Sequence, residues 1–464
     1  MMANGAPAST QISVPDSSAA RTAEFHASNA YRQYVVWLLF VVYVFNFVDR
    51  QILGIVNEEI KQEFGLQDWQ LGALGGLAFA IFYSILGVPI ARLADHRSRV
   101  NIITWAIVVW SAFTALTGFA RNFWHLLIAR IGVGVGEAGC SPPAYSIISD
   151  YFESKKRATA LAIYSAGVYV GGAVGLLIGG NLVADYGWRG VFFLVGVPGL
   201  ALAIVVKLTL REPPRGYSEG VASARRAPPF WDVLRDLWKK PSFRHVALAS
   251  GLHAFVSYGV STFYRPFFSR VHDMSAAEVG TWLAFVVAVG GAAGTIGGGT
   301  LCDKLYSRRP DARYYLWVTA ATLFIVAPFG LVVYSIDSKN AALWMLIPYV
   351  ALTAAYLAPS IAVTHRLVGL RERALASALL LLVLNLIGLG FGPIFTGKLS
   401  DIFRSMLVER GVPESVALGD GLQYAILLTV FINLWAGAHY LLAARTLNRD
   451  IDDAATQRAR SGHG

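Results

Sequence analysis

Charge is scarce in this chain. Asp, Glu, Lys and Arg make up 15% of its 464 residues, while 55% are hydrophobic. A soluble chain of this length would form two or three domains and carry more surface charge. Cysteine is scarcer still, with Cys140 and Cys302 alone. Two such residues, placed far apart in apolar runs, exclude a disulfide framework. No metal-ligand spacing appears, so neither a metal nor another cofactor is expected. Ser149, Asp150 and His365 form no hydrolase constellation, and no His-Asp motif sits at an interface, so the chain does not read as an enzyme. Gly134-Val135-Gly136-Glu137-Ala138-Gly139 contains a dinucleotide-binding pattern. It lacks the strand and the βαβ unit that give that pattern its meaning.

What the chain has is apolar length. Mean hydropathy is +0.51, and the apolar residues fall in runs of about 20, the length that spans a bilayer. Twelve such runs lie near 34–56, 69–91, 100–119, 124–148, 158–184, 188–208, 245–268, 276–300, 314–335, 341–364, 373–397 and 421–444. The formal net charge of +10 would suit nucleic acid. With a cytoplasmic N-terminus, however, most Lys and Arg residues fall in inner loops and tails, which is the positive-inside pattern. The chain therefore reads as an integral multi-pass membrane protein with both termini cytoplasmic, in the inner membrane if the source is bacterial. Membrane lipids, not nucleic acid, are its expected surroundings. Residues 1–33 read as a cytoplasmic tail without a signal peptide.

The chain repeats itself. Gly72, Leu93 and Asp95 recur as Gly280, Leu301 and Asp303 at an offset of 208 residues. This predicts an all-α membrane protein of twelve transmembrane helices in two parallel six-helix halves, at 34–210 and 243–444. Residues 211–242 form a cytoplasmic linker and 445–464 a second tail. Within the linker, Phe230 to Lys240 has amphipathic spacing and reads either as a helix on the inner leaflet or as an ordinary packed linker helix. Glycines spaced by four, at Gly171, Gly175 and Gly179 and at Gly290, Gly294 and Gly298, predict close helix packing. A monomer is expected.

Four ionisable residues sit inside spans. Asp49 and Arg50 lie in the first, Arg130 and Glu137 in the fourth. Each central charge costs roughly 2.5–3.5 kcal/mol on insertion scales, and such residues usually face a water-filled path. At about 1.5 Å per residue, Asp49 and Arg130 fall at similar depth and are expected to pair, with Glu137 on the Arg130 face and about 10 Å deeper. Asp49 and Glu137 are the expected protonation sites, with Arg130 as fixed counter-charge. Arg50 either binds an anionic head group through its guanidinium fork or partners Glu137. The second half has no acid near its span centres and offers Tyr258, Tyr356 and Asn385. One charged and one mostly apolar half would suit an amphipathic anion. At the inner loops, Asp95 and Asp303 are placed to cap helices of the opposite half near Arg373 and Arg157, forming an inner gate.

Ala91-Arg92-Leu93-Ala94-Asp95-His96-Arg97-Ser98-Arg99 resembles the inner-loop motif of the major facilitator superfamily, with Gly299-Thr300-Leu301-Cys302-Asp303-Lys304 as its second copy. Ala91, His96 and Ser98 depart from the pattern. Arg130, Gly134, Gly136 and Ala138 match the fourth-helix motif without departure. Helix 5 carries Leu176 where the antiporter signature has Pro. Within the superfamily, Asn46-Phe47-Val48-Asp49-Arg50, Glu137 and Cys140-Ser141-Pro142-Pro143-Ala144-Tyr145-Ser146 resemble the Spinster family. That resemblance implies a proton-coupled secondary transporter that moves a lipid-like amphipathic anion by alternating access. It adds Asn46 to the substrate side and Arg99 to the gate. The alternative is proton-coupled transport of small organic anions or hydrophobic drugs.

Overall fold

The computed structural model describes residues 27–215, 217, 230–369 and 372–460, with the side chains at 88, 95, 154, 158, 230, 374 and 457–460 undescribed. Most of the expected first tail, and residues 216 and 218–229 of the linker, lie outside the described residues. No strand occurs among the described residues. Among the described residues, nine helices are long and apolar enough to cross a membrane, and a bent pair makes ten.

Two further crossings follow from where the chain ends up. The helix Ser154–Thr209 has 56 residues, about 84 Å at ~1.5 Å per residue, against a hydrocarbon core of about 30 Å. Gly187 breaks it with a φ of +64°, a conformation that favours glycine. Both its ends return to one face of the bundle: Arg157 Nε donates to Phe152 O near one end, and Tyr151 Oη donates to Arg211 O, at 2.8 Å, near the other. It is therefore a hairpin of two spans. The segments Phe123–Glu137 and Ser141–Tyr151 are individually short. Together they run from the Gly118 end of the third helix back to Asp150, which pairs with Arg99 at that helix's start.

The crossings are α1 (Asn29–Ile55), α2 (Asp68–Ala94), α3 (Arg99–Thr117), α4 (Phe123–Glu137 with Ser141–Tyr151), α5 and α6 (the limbs before and after Gly187), α7 (Pro241–Ser261 with Tyr264–His272), α8 (Ala276–Arg308), α9 (Arg313–Ser335), α10 (Lys339–Arg366), α11 (Leu375–Glu409) and α12 (Glu414–Thr456). The last helix continues to Arg460, so residues 445–460 of the expected second tail are helical. Side-chain caps fix several starts: Ser28, Ser98 and Asn122 each accept a backbone N–H from the first turn of α1, α3 and α4. These bonds satisfy donors that a helix end leaves open.

Packing is unequal along the bundle. One buried cluster joins both halves at the end that carries Ile60, Trp188, Phe267, Met274 and Tyr334. Two other clusters fill the opposite end, and the buried residues of each belong to a single half. The halves therefore meet at one end and part towards the end that holds the termini. At the joined end α2 lies on α11, with Gly72 against Pro393 and Gly397 against Asp68, and α5 lies on α8 at Gly180 and Gly280. Three π-helical turns, Ala73–Leu77, Val287–Gly291 and Asn385–Phe391, fall in α2, α8 and α11, the helices of these seams. The predicted glycine faces do pack: Gly171, Gly175 and Gly179 lie on α1, and Gly290, Gly294 and Gly298 on α10.

A Cβ at Gly280 would stand 2.5 Å from Leu176 O and 3.0 Å from Gly180 Cα. Gly280→Val is therefore expected to lower the unfolding midpoint measurably, since such overpacking costs about 1–3 kcal/mol. Gly297 has open space around it, and Gly297→Ala should leave the midpoint unchanged.

Candidate functional site: a buried charge cluster facing the cleft

The site begins with close helix approach in the first half. Gly132, Gly134 and Gly136 let α4 lie against Phe113, Phe79 and Trp110. This carries Arg130 and Glu137 in beside α1. Glu137 ends the first limb of α4; the chain turns at Gly139 and Cys140 before Pro142-Pro143 start the second. The carboxylate thus sits at a break in the helix. Asn46, Asp49, Arg130 and Glu137 are all buried.

The pairing differs from the expected one. Arg50 Nε donates to Glu137 Oε2 at 2.6 Å. Asp49 and Arg130 form no ion pair within 4 Å, and Arg130 Nε has no partner. Depth along a helix does not fix its rotation. Arg50 lies about 100° round α1 from Asp49 and is the group turned towards the broken end of α4. Arg130 instead stands 5.8 Å from the Phe79 ring centre.

Arg50 is also enclosed by rings. Its guanidinium carbon is 4.7 Å from the ring centres of Phe47, Phe79 and Tyr83. A planar cation stacks well on such faces. Its side chain keeps 21% exposure while that of Glu137 has none. The guanidinium is therefore the member of the pair that the cleft can reach.

Around this pair lies a concentration of unmet hydrogen-bonding groups. Both amide atoms of Asn46, Asp49 Oδ1, Thr114 Oγ1, Arg130 Nε and Glu137 Oε1 are buried without a partner. Asp49 is close enough to Thr114, Arg130 and Glu137 to feel each of them. Buried polar groups are nearly always satisfied, and each exception calls for an explanation. So many in one place mark a polar site rather than a settled core.

Of the three second-half residues singled out in the sequence, two lie towards this cluster. Tyr258 on α7 faces Arg50 and Tyr83 electrostatically across the cleft. Tyr356 stands at the break in α10, behind Tyr258, with the His253 ring 4.4 Å away edge-on. His253 itself is satisfied by Asn433 and by Thr353 O, so it is a packing residue. Asn385 opens the π turn of α11 and is half-buried, but it makes no hydrogen bond to these groups.

At the joined end the structure shows an ionic lock that the sequence did not reveal. Asp68, at the start of α2, takes Lys61, Arg270 and Ser400 Oγ, the last at 2.7 Å. Arg270 also pairs with Glu58, and Arg265 with Glu59 at 3.1 Å. The backbone N–H groups of Asp68 and Trp69 donate to Asp401 at 3.0 Å each. Every one of these bonds except Lys61 to Asp68 crosses between the halves. Burial holds the Lys61 ammonium below the usual lysine range, with Arg270 adding to the shift and Asp68 opposing it. In the sequence these charges look like ordinary span-end residues; Asp68 and Arg270 are 202 positions apart.

At the opposite end, two of the expected gate residues make bonds to groups of their own half. Asp303 accepts from Tyr315 Oη at 2.6 Å. Arg157 Nε donates to Phe152 O, and Arg373 is exposed. The side chain of Asp95 lies outside the described residues. Arg99 departs most from a mobile gate. It is buried and bonds Ser146 Oγ, Asp150, Glu212 and Pro213 O. A guanidinium so fully engaged anchors α3 to α4 and the linker, because leaving would strand several buried partners.

The Major Facilitator Superfamily pattern matches residues 39–393 of this chain. An "MFS-type efflux pump" of Mycolicibacterium smegmatis is 30% identical over 425 residues, covering 90% of this chain and 94% of that protein. A "Probable L-galactonate transporter" of Escherichia coli is 27% identical over 412 residues, covering 85% and 89%. Among solved structures, a bacterial homolog of the human lysosomal transporter Spinster, in an inward-facing and occupied conformation, superimposes with a TM-score of 0.83 at 35% identity, covering 91% of this chain and 99% of that one.

Proposed function

The chain belongs to the major facilitator superfamily, a family of transporters and not enzymes, and from that premise we propose that it is a Spinster-type, proton-coupled carrier of an amphipathic anion. The observation that carries this reading is the Arg50–Glu137 pair, reachable through Arg50 alone and surrounded by unmet polar groups. Buried ion pairs stabilise a fold poorly, since desolvation offsets their attraction. The cost is accounted for if the pair is made and broken during transport.

The coupling is competitive. Glu137 and an anionic head group seek the same guanidinium. A proton on Glu137 frees Arg50 to take the anion; loss of that proton returns Arg50 to Glu137 and expels the anion. Asp49 relays or shares the proton, and Arg130 holds the local charge in balance. The aromatic enclosure of Arg50, with Tyr258 and Tyr356 opposite, accommodates the apolar part of the substrate beside its head.

With both termini cytoplasmic, the joined end is outer and the conformer faces inward, as the related Spinster structure does. The Asp68 lock would then hold the outer gate. Asp303, Arg157, Arg373 and Asp95 would form the inner gate when the cleft reverses.

A second reading is transport of small organic anions or drugs. The resemblance to a galactonate transporter and an efflux pump favours it. The test is uptake into proteoliposomes of a lysophospholipid, a sugar acid and a hydrophobic cation, with and without a pH gradient. The proposal expects the lysophospholipid to move and the gradient to accelerate it. Arg50→Lys should lower its affinity about tenfold, since an ammonium keeps the charge but loses the planar fork and stacking. Uptake of the sugar acid alone would select the second reading. Indifference of all three to the gradient would end proton coupling.

A further inference from the structure

The linker helix Phe230–Lys239 has two unlike faces. Val233 and Leu237 are buried in one cluster with Phe243, Cys302 and Ala376. The chain just beyond it is tied down as well. Lys240 Nζ donates to Leu367 O, and Ser242 N donates to Asp450 Oδ2, each at 2.9 Å. The helix is thus fixed to α7, α12 and the α10–α11 turn, and it cannot be a loose tether. One side packs, and the other is presented outward.

The outward side carries Trp231, 72% exposed, and Trp238, 48% exposed. They are seven residues apart, two helical turns, and so share a face. Together with Arg235 and Lys239 of the same helix and Arg244 of α7, these indoles line an open cleft of about 880 Å³. Asp232 is the acid in its lining. Asp236, on the same helix, approaches Lys239 at 3.9 Å.

We propose that this cleft is a binding site for the anionic head group of a bilayer phospholipid, with the two indoles seated at the head-group level. The occupant follows from the combination of groups. Three cations against one lining acid call for a negative partner. Exposed indoles prefer the membrane interface, where the ring body meets acyl chains and the N–H meets water. The cleft also adjoins Arg244, just before the apolar run of α7 starts at Val246, so it lies where head groups meet hydrocarbon. A soluble acidic protein would satisfy the cations but would give no reason for two exposed indoles beside a membrane span.

The site tethers the linker, and through it both halves, to the charge of the surrounding leaflet. Its test reads lipid binding and not transport, so its failure leaves the proton-coupled reading standing.

Unfolding midpoints of the full-length protein in detergent are measured with added phosphatidylglycerol, phosphatidylcholine or sn-glycerol 3-phosphate. Phosphatidylglycerol should raise the midpoint beyond phosphatidylcholine, and glycerol phosphate should not. The Arg235→Gln/Lys239→Gln/Arg244→Gln variant should lose at least half of the phosphatidylglycerol-specific increment and keep the phosphatidylcholine response. A full increment in the variant, or an equal effect of glycerol phosphate, overturns the proposal. Should the variant fold poorly, quenching by brominated lipids in nanodiscs decides instead. The quenched fraction that disappears in Trp231→Phe/Trp238→Phe should be larger with brominated phosphatidylglycerol than with brominated phosphatidylcholine. Equal fractions would equally overturn it.

Discussion

Proteoliposomes carrying Glu137→Gln are expected to lose pH-gradient-driven uptake while still exchanging labelled for unlabelled substrate. Gln has the shape of a protonated Glu and can still accept from Arg50 Nε, but it cannot release a proton. In the competitive scheme this leaves Arg50 permanently available to the anion. Loading is preserved, and the step that expels the anion by recharging residue 137 is absent. The net rate should fall by at least about tenfold, the effect of ~1.4 kcal/mol on the slowest step. Substrate binding should stay level or tighten. Asp49→Asn should reduce the same gradient stimulation less severely, because Asp49 has no direct bond to Arg50. If Glu137→Gln keeps its full response to the gradient, Glu137 is not the coupling site. If both exchange and gradient-driven uptake vanish together, the carboxylate serves the fold or the binding of substrate instead.

The second large effect concerns the lock at the joined end. Asp68→Asn removes the charge that receives Lys61 and Arg270 together. It leaves these two cations against Glu58, with Ser400 facing an amide. Breaking a buried pair by removing one partner costs about 3–5 kcal/mol. These contacts link the two halves in this conformer, so their loss weighs on this conformer and not on one in which the end has opened. A bias of about 5.5 kcal/mol turns a 99:1 equilibrium into 1:99, so a large redistribution is expected. Spin labels at Gln62 and Arg410, both exposed and on opposite halves, should report a longer and broader distance distribution. Glu63→Gln is the control. It breaks the pair with Arg189, which lies at the surface within one half, and should leave the distances alone. An unshifted distribution in Asp68→Asn would mean that apolar packing of α2 on α11 and of α5 on α8 holds this end shut without the charges.

The inner-gate residues show where reading along the chain ran short. Arg99 belongs by sequence to the loop motif that includes Asp95, and the motif invites one role for both. In the folded protein Arg99 is a buried anchor with two partners on α4 and two in the linker. Asp303 lies within the last turns of α8, and its partner in this conformer is Tyr315. A gate that closes in another state leaves no local mark that separates it from an anchor.

The amino-acid sequence by itself determined the crossings, the two halves, the linker helix and the identity of the buried charges. Each of these depends on local quantities: the length of an apolar run, the spacing of small or basic residues, and the cost of one charge in hydrocarbon. Only the tertiary structure decided that Glu137 takes Arg50 rather than Arg130, that three rings enclose that guanidinium, and that Asp68 joins Arg270 from the other half. Those outcomes depend on how each helix is rotated about its axis and which distant helix it meets. Rotation and meeting are settled by packing between segments hundreds of residues apart, to which no stretch of sequence taken alone is sensitive.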